Sequence, residues 1–206
     1  MKFKQIAASA LLCLSTQSFA AYTVYVYQSG ANVVASGSGS INTTGLVSAG
    51  PASTLPLVRS ASALLYIGGT PSVFTAMDMF NGVAGPTSFG ASATTFNADV
   101  TTGGLTGIIG SSNRLFVPPG YVSGSAITSS ATWNAQTLAG MSLTNGTYVW
   151  TWGAGPSADS FTVVIGSPPT VPSPSSIPTL SEWGLIGLSS LVAMFGIARM
   201  RRRMGG

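Results

Sequence analysis

The chain has no histidine and a single cysteine among its 206 residues. A His-dependent catalytic triad, a His-bound zinc site, a CxxC redox pair and a disulfide framework therefore lack their atoms. Charge is scarce too. Asp, Glu, Lys and Arg make up 6% of the residues, against about 25% in an ordinary soluble domain. With 45% hydrophobic residues, disorder of the highly charged, aromatic-poor kind is excluded. What is plentiful is glycine, at 26 positions, about twice its usual share of ~7%. Serine and threonine accompany it. This is the composition of an apolar chain bound for the cell exterior.

The charge that exists is concentrated at the ends. Lys2, Lys4, Arg199, Arg201, Arg202 and Arg203 are six of the eight basic residues. Between Ala21 and Pro178 only Arg59 and Arg114 are basic, against Asp78, Asp99 and Asp159, so the body carries −1. The pI near 9.6 belongs to the ends. A basic nucleic-acid footprint is absent from the body.

The first twenty residues have the form of a signal peptide. Lys2 and Lys4 make a positive n-region, and Ile6 to Leu14 is an apolar h-region. Ser18 and Ala20 place small residues at −3 and −1, so cleavage is expected between Ala20 and Ala21. Cys13 lies in the h-region after Leu12, where a lipoprotein signal needs a small residue. Cleavage leaves a mature chain without cysteine, which suits an oxidising compartment without exploiting it.

The last forty residues repeat the theme in reverse. Residues 167–176 are a Pro/Ser-rich spacer, where missing N–H groups and fixed φ prevent a strand or helix. Ile177, Pro178, Thr179, Leu180, Ser181, Glu182, Trp183 and Gly184 follow, then an uncharged run from Leu185 to Ala198. Arg199, Arg201, Arg202 and Arg203 close it. A helix over 183–198 spans about 24 Å, short of the ~30 Å hydrocarbon core. Trp183 at the interface and a snorkelling Arg199 extend it. The arginines keep the tail cytoplasmic by the positive-inside bias, leaving the body periplasmic.

This order of motif, apolar helix and Arg cluster resembles the PEP-CTERM class of bacterial sorting signals. IPTLSEWG at 177–184 is similar to the IPTL-CTERM variety. The resemblance implies that an exosortase, a membrane-embedded cysteine transpeptidase-like enzyme, cuts near the motif. It further implies a Gram-negative host, a precursor held in the inner membrane, and delivery to the cell surface or an exopolysaccharide matrix. The chain is then the substrate of that enzyme and supplies no catalytic residue of its own. The hydrophobic tail acts as a removable handle, as in a GPI signal.

Between the two addresses, residues 21–166 read as an all-β domain of β-sandwich type. Alternation marks Tyr22 to Gln28, with Tyr22, Val24 and Val26 on one face and Thr23, Tyr25 and Tyr27 on the other. Ala31 to Ala35 follows a Ser29-Gly30 turn. Ala63 to Ile67, Ser72 to Phe80, Arg114 to Val117 and Tyr121 to Trp133 are further strand candidates. Asn145-Gly146 is a turn signal. Thr147 to Trp152 and Ser160 to Ile165 alternate again. Ser53 to Tyr66 comes closest to a helical period and predicts at most one short helical turn. Low charge on so many strands leaves sheet edges open to other chains. The segments GSGSIN at 37–42, YVWTWG at 148–153 and DSFT at 159–162 resemble parts of a secreted domain found ahead of such sorting signals.

Candidate sites in the body are few. Tyr148, Trp150 and Trp152 form a period-2 aromatic stripe. It is either core packing or a flat platform for sugar rings. Asp78, Asp99 and Asp159 are the body's acids, and a pair of them could in principle flank a glycosidic bond. They lie in separate segments without a motif, which favours turn capping. Asn97-Ala98-Asp99 offers too few oxygens for calcium. The serines have no His or Lys to activate them. Asn42-Thr43-Thr44 and Asn145-Gly146-Thr147 match the N-x-S/T pattern by chance in a bacterium. No cofactor is expected. The body reads as a non-enzymatic structural or adhesive protein, with a carbohydrate-binding or carbohydrate-cleaving domain as the alternative.

Overall fold

A computed structural model describes residues 21–169. The leader through Ala20, the motif Ile177–Gly184, the apolar run and the Arg199–Arg203 cluster lie outside the described residues. Among the described residues no helix is long and apolar enough to cross a membrane.

The body is a sandwich of two β-sheets. The first contains β1 (Ala21–Ser29), β2 (Asn32–Ser40), β8 (Val100–Gly103), β11 (Ala126–Trp133), β12 (Gly146–Trp152) and β13 (Asp159–Ile165). Its order is β12-β13-β1-β2-β11-β8. The pairing of β1 with β13 is parallel and its other pairings are antiparallel. The second sheet contains β3 (Val47–Thr54), β4 (Leu57–Arg59), β5 (Leu64–Ile67), β6 (Thr75–Asn81), β7 (Phe96–Asn97), β9 (Thr106–Ile109) and β10 (Arg114–Val117), in the order β3-β6-β10-β9-β5-β4-β7.

Alternation builds the core. Tyr22, Val24 and Val26 of β1 point inward, as do Phe161, Val163 and Ile165 of β13. They meet Leu65 and Ile67 of β5, Ile108 of β9, and Leu115 and Val117 of β10. Gly37 of β2 is bare because the Tyr22 ring lies over it: a Cβ there would sit 2.5 Å from the Tyr22 hydroxyl. That hydroxyl is buried without a hydrogen-bond partner. Burial pushes its pKa up to about 12, with the nearby Ser129 and Thr106 hydroxyls opposing the shift.

The second sheet repeats one plan twice. β4 and β5 are joined by a 3-10 turn, Ser60–Ser62, that ends on left-handed Ala63 at φ 43°. β9 and β10 are joined by Gly110–Ser112, ending on left-handed Asn113 at φ 56°. The two hairpins lie side by side through β5 and β9. This sheet is apolar on both faces. Leu64, Tyr66, Met77, Leu105 and Phe116 form a second buried cluster, separate from the main core. Tyr66 and Phe116 both pair with Gly107, and their rings meet edge to face at 5.1 Å. A Cβ on Gly107 would come within 2.1 Å of the Leu65 carbonyl oxygen.

Several boundaries differ from the sequence reading. β2 runs on through the glycines to Ser40, because small residues on both faces still pair. The strand expected from Ser72 starts at Thr75, since left-handed Ser72 at φ 59° belongs to the preceding turn. The one expected from Tyr121 starts at Ala126. Ser53 to Tyr66 holds strands β4 and β5 around one 3-10 turn. Asn145-Gly146 makes no hairpin. It opens β12, whose neighbour is β13 rather than the preceding β11. Strands β3, β4, β7, β8 and β9 had no counterpart in the sequence reading.

Candidate functional site

The aromatic stripe on β12 faces the core. Trp150 is 0% exposed and Trp152 5%. Each indole is also tied down, Trp150 Nε1 donating to the Pro86 carbonyl at 3.0 Å and Trp152 Nε1 to the Asn42 carbonyl at 2.8 Å. Tyr148 is half-buried and donates to the Thr144 carbonyl at 2.9 Å. Phe89 packs edge-on against both Tyr148 and Trp150, with ring centroids 5.1 and 5.8 Å apart. Indoles enclosed in this way offer no open face to a sugar ring, so of the two readings of the stripe the burial supports core packing.

The three aspartates stand apart, each accepting from backbone. Asp78 on β6 accepts from Gly120 N–H at 2.8 Å. Asp99 accepts from Asn134 N–H at 2.7 Å. Asp159 accepts from Asn42 N–H at 2.6 Å and Ser160 N–H at 2.7 Å. They share no partner, so the geometry of paired acid and base is not assembled. Among the described residues no three His, Cys, Asp or Glu side chains group to hold a metal.

Asp159 lies at the centre of a polar knot that sequence reasoning missed. Desolvation raises its pKa, and the two backbone N–H bonds oppose that rise. Asn42 caps the 3-10 turn Thr43–Gly45 through Thr44 N–H. The Tyr121 hydroxyl accepts from Ile41 N–H at 3.0 Å and donates to the Ser125 carbonyl. Ser123 Oγ accepts from Thr43 N–H at 2.9 Å and donates to Asn42 Oδ1 at 3.2 Å. The segments 37–42, 148–153 and 159–162 thus converge here. Nothing in the sequence spacing announced this convergence, since Asn42 is 117 residues from Asp159 and 110 from Trp152. The knot anchors loops; it presents no open chemistry.

What remains open is backbone. Beside β12 lies a shallow cleft of about 280 Å³, bounded by Asn145–Thr147 and Val164–Ser167. At its other end β12 meets Ala84, which exchanges two hydrogen bonds with Thr151, each 2.9 Å.

The body is thus an all-β sandwich, and the segment that points to a biological process is the tail. Residues 175–202 match the family described as IPTL-CTERM motif. This is a PEP-CTERM-like sorting signal, processed by an exosortase-type system, and it marks an exported protein with a membrane-anchored precursor. No curated protein and no solved structure matches the chain.

Proposed function

We propose that the chain is a non-enzymatic structural or adhesive protein, displayed at the surface of a Gram-negative cell or in its extracellular matrix. The IPTL-CTERM motif at 175–202 carries this reading. The body supports it in two ways. Its carboxylates are committed to capping backbone N–H groups, and its large aromatics are committed to the core. In this reading the leader is removed after Ala20. The spacer presents the motif at the outer, periplasmic face of the inner membrane, the apolar run holds the chain there, and the arginines prevent slippage.

Replacing Pro178, Thr179 and Leu180 with Ala tests it. The precursor should remain inserted and uncut. Replacing Arg199 and Arg201 to Arg203 with Ser should weaken retention instead. Release of the Pro178/Thr179/Leu180 variant at the wild-type level contradicts the reading.

A further inference from the structure

The seven-stranded sheet curls on itself. Its order, β3-β6-β10-β9-β5-β4-β7, sets β3 and β4 five strand spacings apart, about 24 Å in a flat sheet. Yet Thr54 ends β3 and Leu57 begins β4, and the chain between them reaches at most about 11 Å. The two sides of the sheet therefore bend toward each other. One face packs on the main core through Val58, Leu65, Ile108 and Leu115, so the bend closes over the opposite face. That explains how Tyr66 and Phe116, turned away from the main core, are only 4% and 2% exposed.

The bend sets the two basic residues of the body at one rim. Arg59 of β4 pairs with Leu64 of β5, Leu64 with Ile109 of β9, and Ile109 with Arg114 of β10. Directly paired residues share a face. Both arginines therefore lie on the concave face, on opposite sides of the rim, with Leu64 and Ile109 as an apolar floor between them. Tyr66 stands in the next row of the same face. Burial pushes the pKa of its hydroxyl up, and the charges of Arg114 and Arg59 both oppose that rise, so both guanidiniums act on one hydroxyl. Arg59 Nε donates to Ser62 Oγ at 3.2 Å, which steadies the side chain and leaves its terminal nitrogens to other partners. No carboxylate of the body shares this face. Asp78 alternates with Met77 and Met79 to the other side of β6 and accepts from Gly120 N–H. Asp99 and Asp159 bond to Asn134 and Asn42.

We infer that Arg59, Arg114 and the Tyr66 hydroxyl form a binding site for a phosphate group, carried as inorganic phosphate or as a phosphate monoester. Planar guanidinium forks match the oxygen edges of a tetrahedral anion. Two positive charges balance the two negative ones of the dianion, and the Tyr66 hydroxyl donates to a further oxygen. The floor of Leu64 and Ile109 holds water away, which strengthens these bonds. A single carboxylate leaves one positive charge uncompensated, so the site favours phosphate. This inference goes beyond the sorting reading and does not depend on it.

The test is calorimetric titration of the exported protein, at constant ionic strength and at a slightly alkaline pH where phosphate is a dianion. Three probes are used: inorganic phosphate, glucose 6-phosphate, and phosphatidic acid vesicles set against phosphatidylcholine vesicles. Saturable binding is expected. Binding of the sugar phosphate assigns a soluble or glycan-borne monoester, and capture by phosphatidic acid vesicles alone assigns a lipid headgroup; either supports the site. Arg59→Gln and Arg114→Gln should each weaken binding about 10- to 100-fold, as loss of a charged hydrogen-bond partner does, and the double variant should abolish it. Arg59→Lys and Arg114→Lys keep the charge without the fork, keep the fold if the Gln variants lose it, and should bind at an intermediate level. Ser130→Ala, on the other sheet, should change nothing. No saturable binding of any probe, or binding by the folded Arg59/Arg114 variants at the wild-type level, overturns the proposal. Titration does not require tail cleavage, so its failure is distinguishable from failure of the sorting reading.

Discussion

The two sheets of the sandwich bury their inner faces alike and differ on their outer faces. The first sheet shows solvent Thr23, Tyr25 and Tyr27 on β1, Ser36 and Ser38 on β2, and Thr128, Ser130 and Thr132 on β11, none of them buried. Hydroxyls there even bond across strands, Thr102 to Ser130 at 2.8 Å. The second sheet carries Leu64, Tyr66, Met77 and Phe116 on its outer side, all buried. Arg59 and Arg114 lie in one register row with Leu64 and Ile109 between them. One sheet is therefore held by one core, the other by two apolar layers.

This difference explains what could be read from the sequence. Strands β1, β12 and β13 alternate cleanly because one face meets water, so both their positions and their inward residues were legible. In β5 all four residues, Leu64 to Ile67, are buried. A strand buried on both faces has no period-2 signal. β9, with Thr106, Gly107 and Ile108 all buried, was lost for that reason, and Gly107 deepened the loss by standing where a side chain would mark the face; β4 was lost to its three-residue length. β3 was lost to its Gly50-Pro51 pair, and β7 and β8 to their brevity. At the site level, the tail motif was legible because its chemistry is local. The Asp159 knot was not, because its partners are separated by 117 residues for Asn42 and meet only when β13 pairs beside β1.

The contrast is broken most directly at Phe116. It lies on an outer face yet is 2% exposed, so Phe116→Ala should cost about 3–5 kcal/mol, the range for buried aromatics. Thr128→Ala, on the other outer face, should stay within about 0.5 kcal/mol. Urea unfolding of the exported protein measures both. Equal effects would erase the distinction between the faces.

Gly107→Ala should follow at about 1–3 kcal/mol, the usual cost of overpacking. Its Cβ meets the Leu65 carbonyl, a backbone atom that cannot swing aside. A variant as stable as wild type would show that the Tyr66 and Phe116 rings do not need the gap.

Asp159 adds a pH dependence. Burial raises its folded pKa above the unfolded value. Its contribution to stability is therefore fully present below the unfolded pKa and is lost as pH rises through the raised folded value. Denaturant midpoints across that window should fall with rising pH, and Asp159→Asn should flatten the trend. A wild-type profile that rises over the same window contradicts the burial-dominated shift.

The smallest effect belongs to Tyr22. Its hydroxyl is buried and unpartnered, so Tyr22→Phe should be neutral or stabilising by up to about 1 kcal/mol. A loss of more than about 1 kcal/mol would mean the hydroxyl bonds Ser129 or Thr106 after all.

Neither sheet explains where the protein goes; the tail does. Mass spectrometry of the exported protein, from a strain with a working exosortase, tests that claim most directly. The account predicts a chain that begins at Ala21 and yields no peptide beyond roughly Trp183. Accumulation outside the cell of intact chain carrying Arg201 to Gly206 would contradict it, and would make the tail a permanent anchor or a part of the fold.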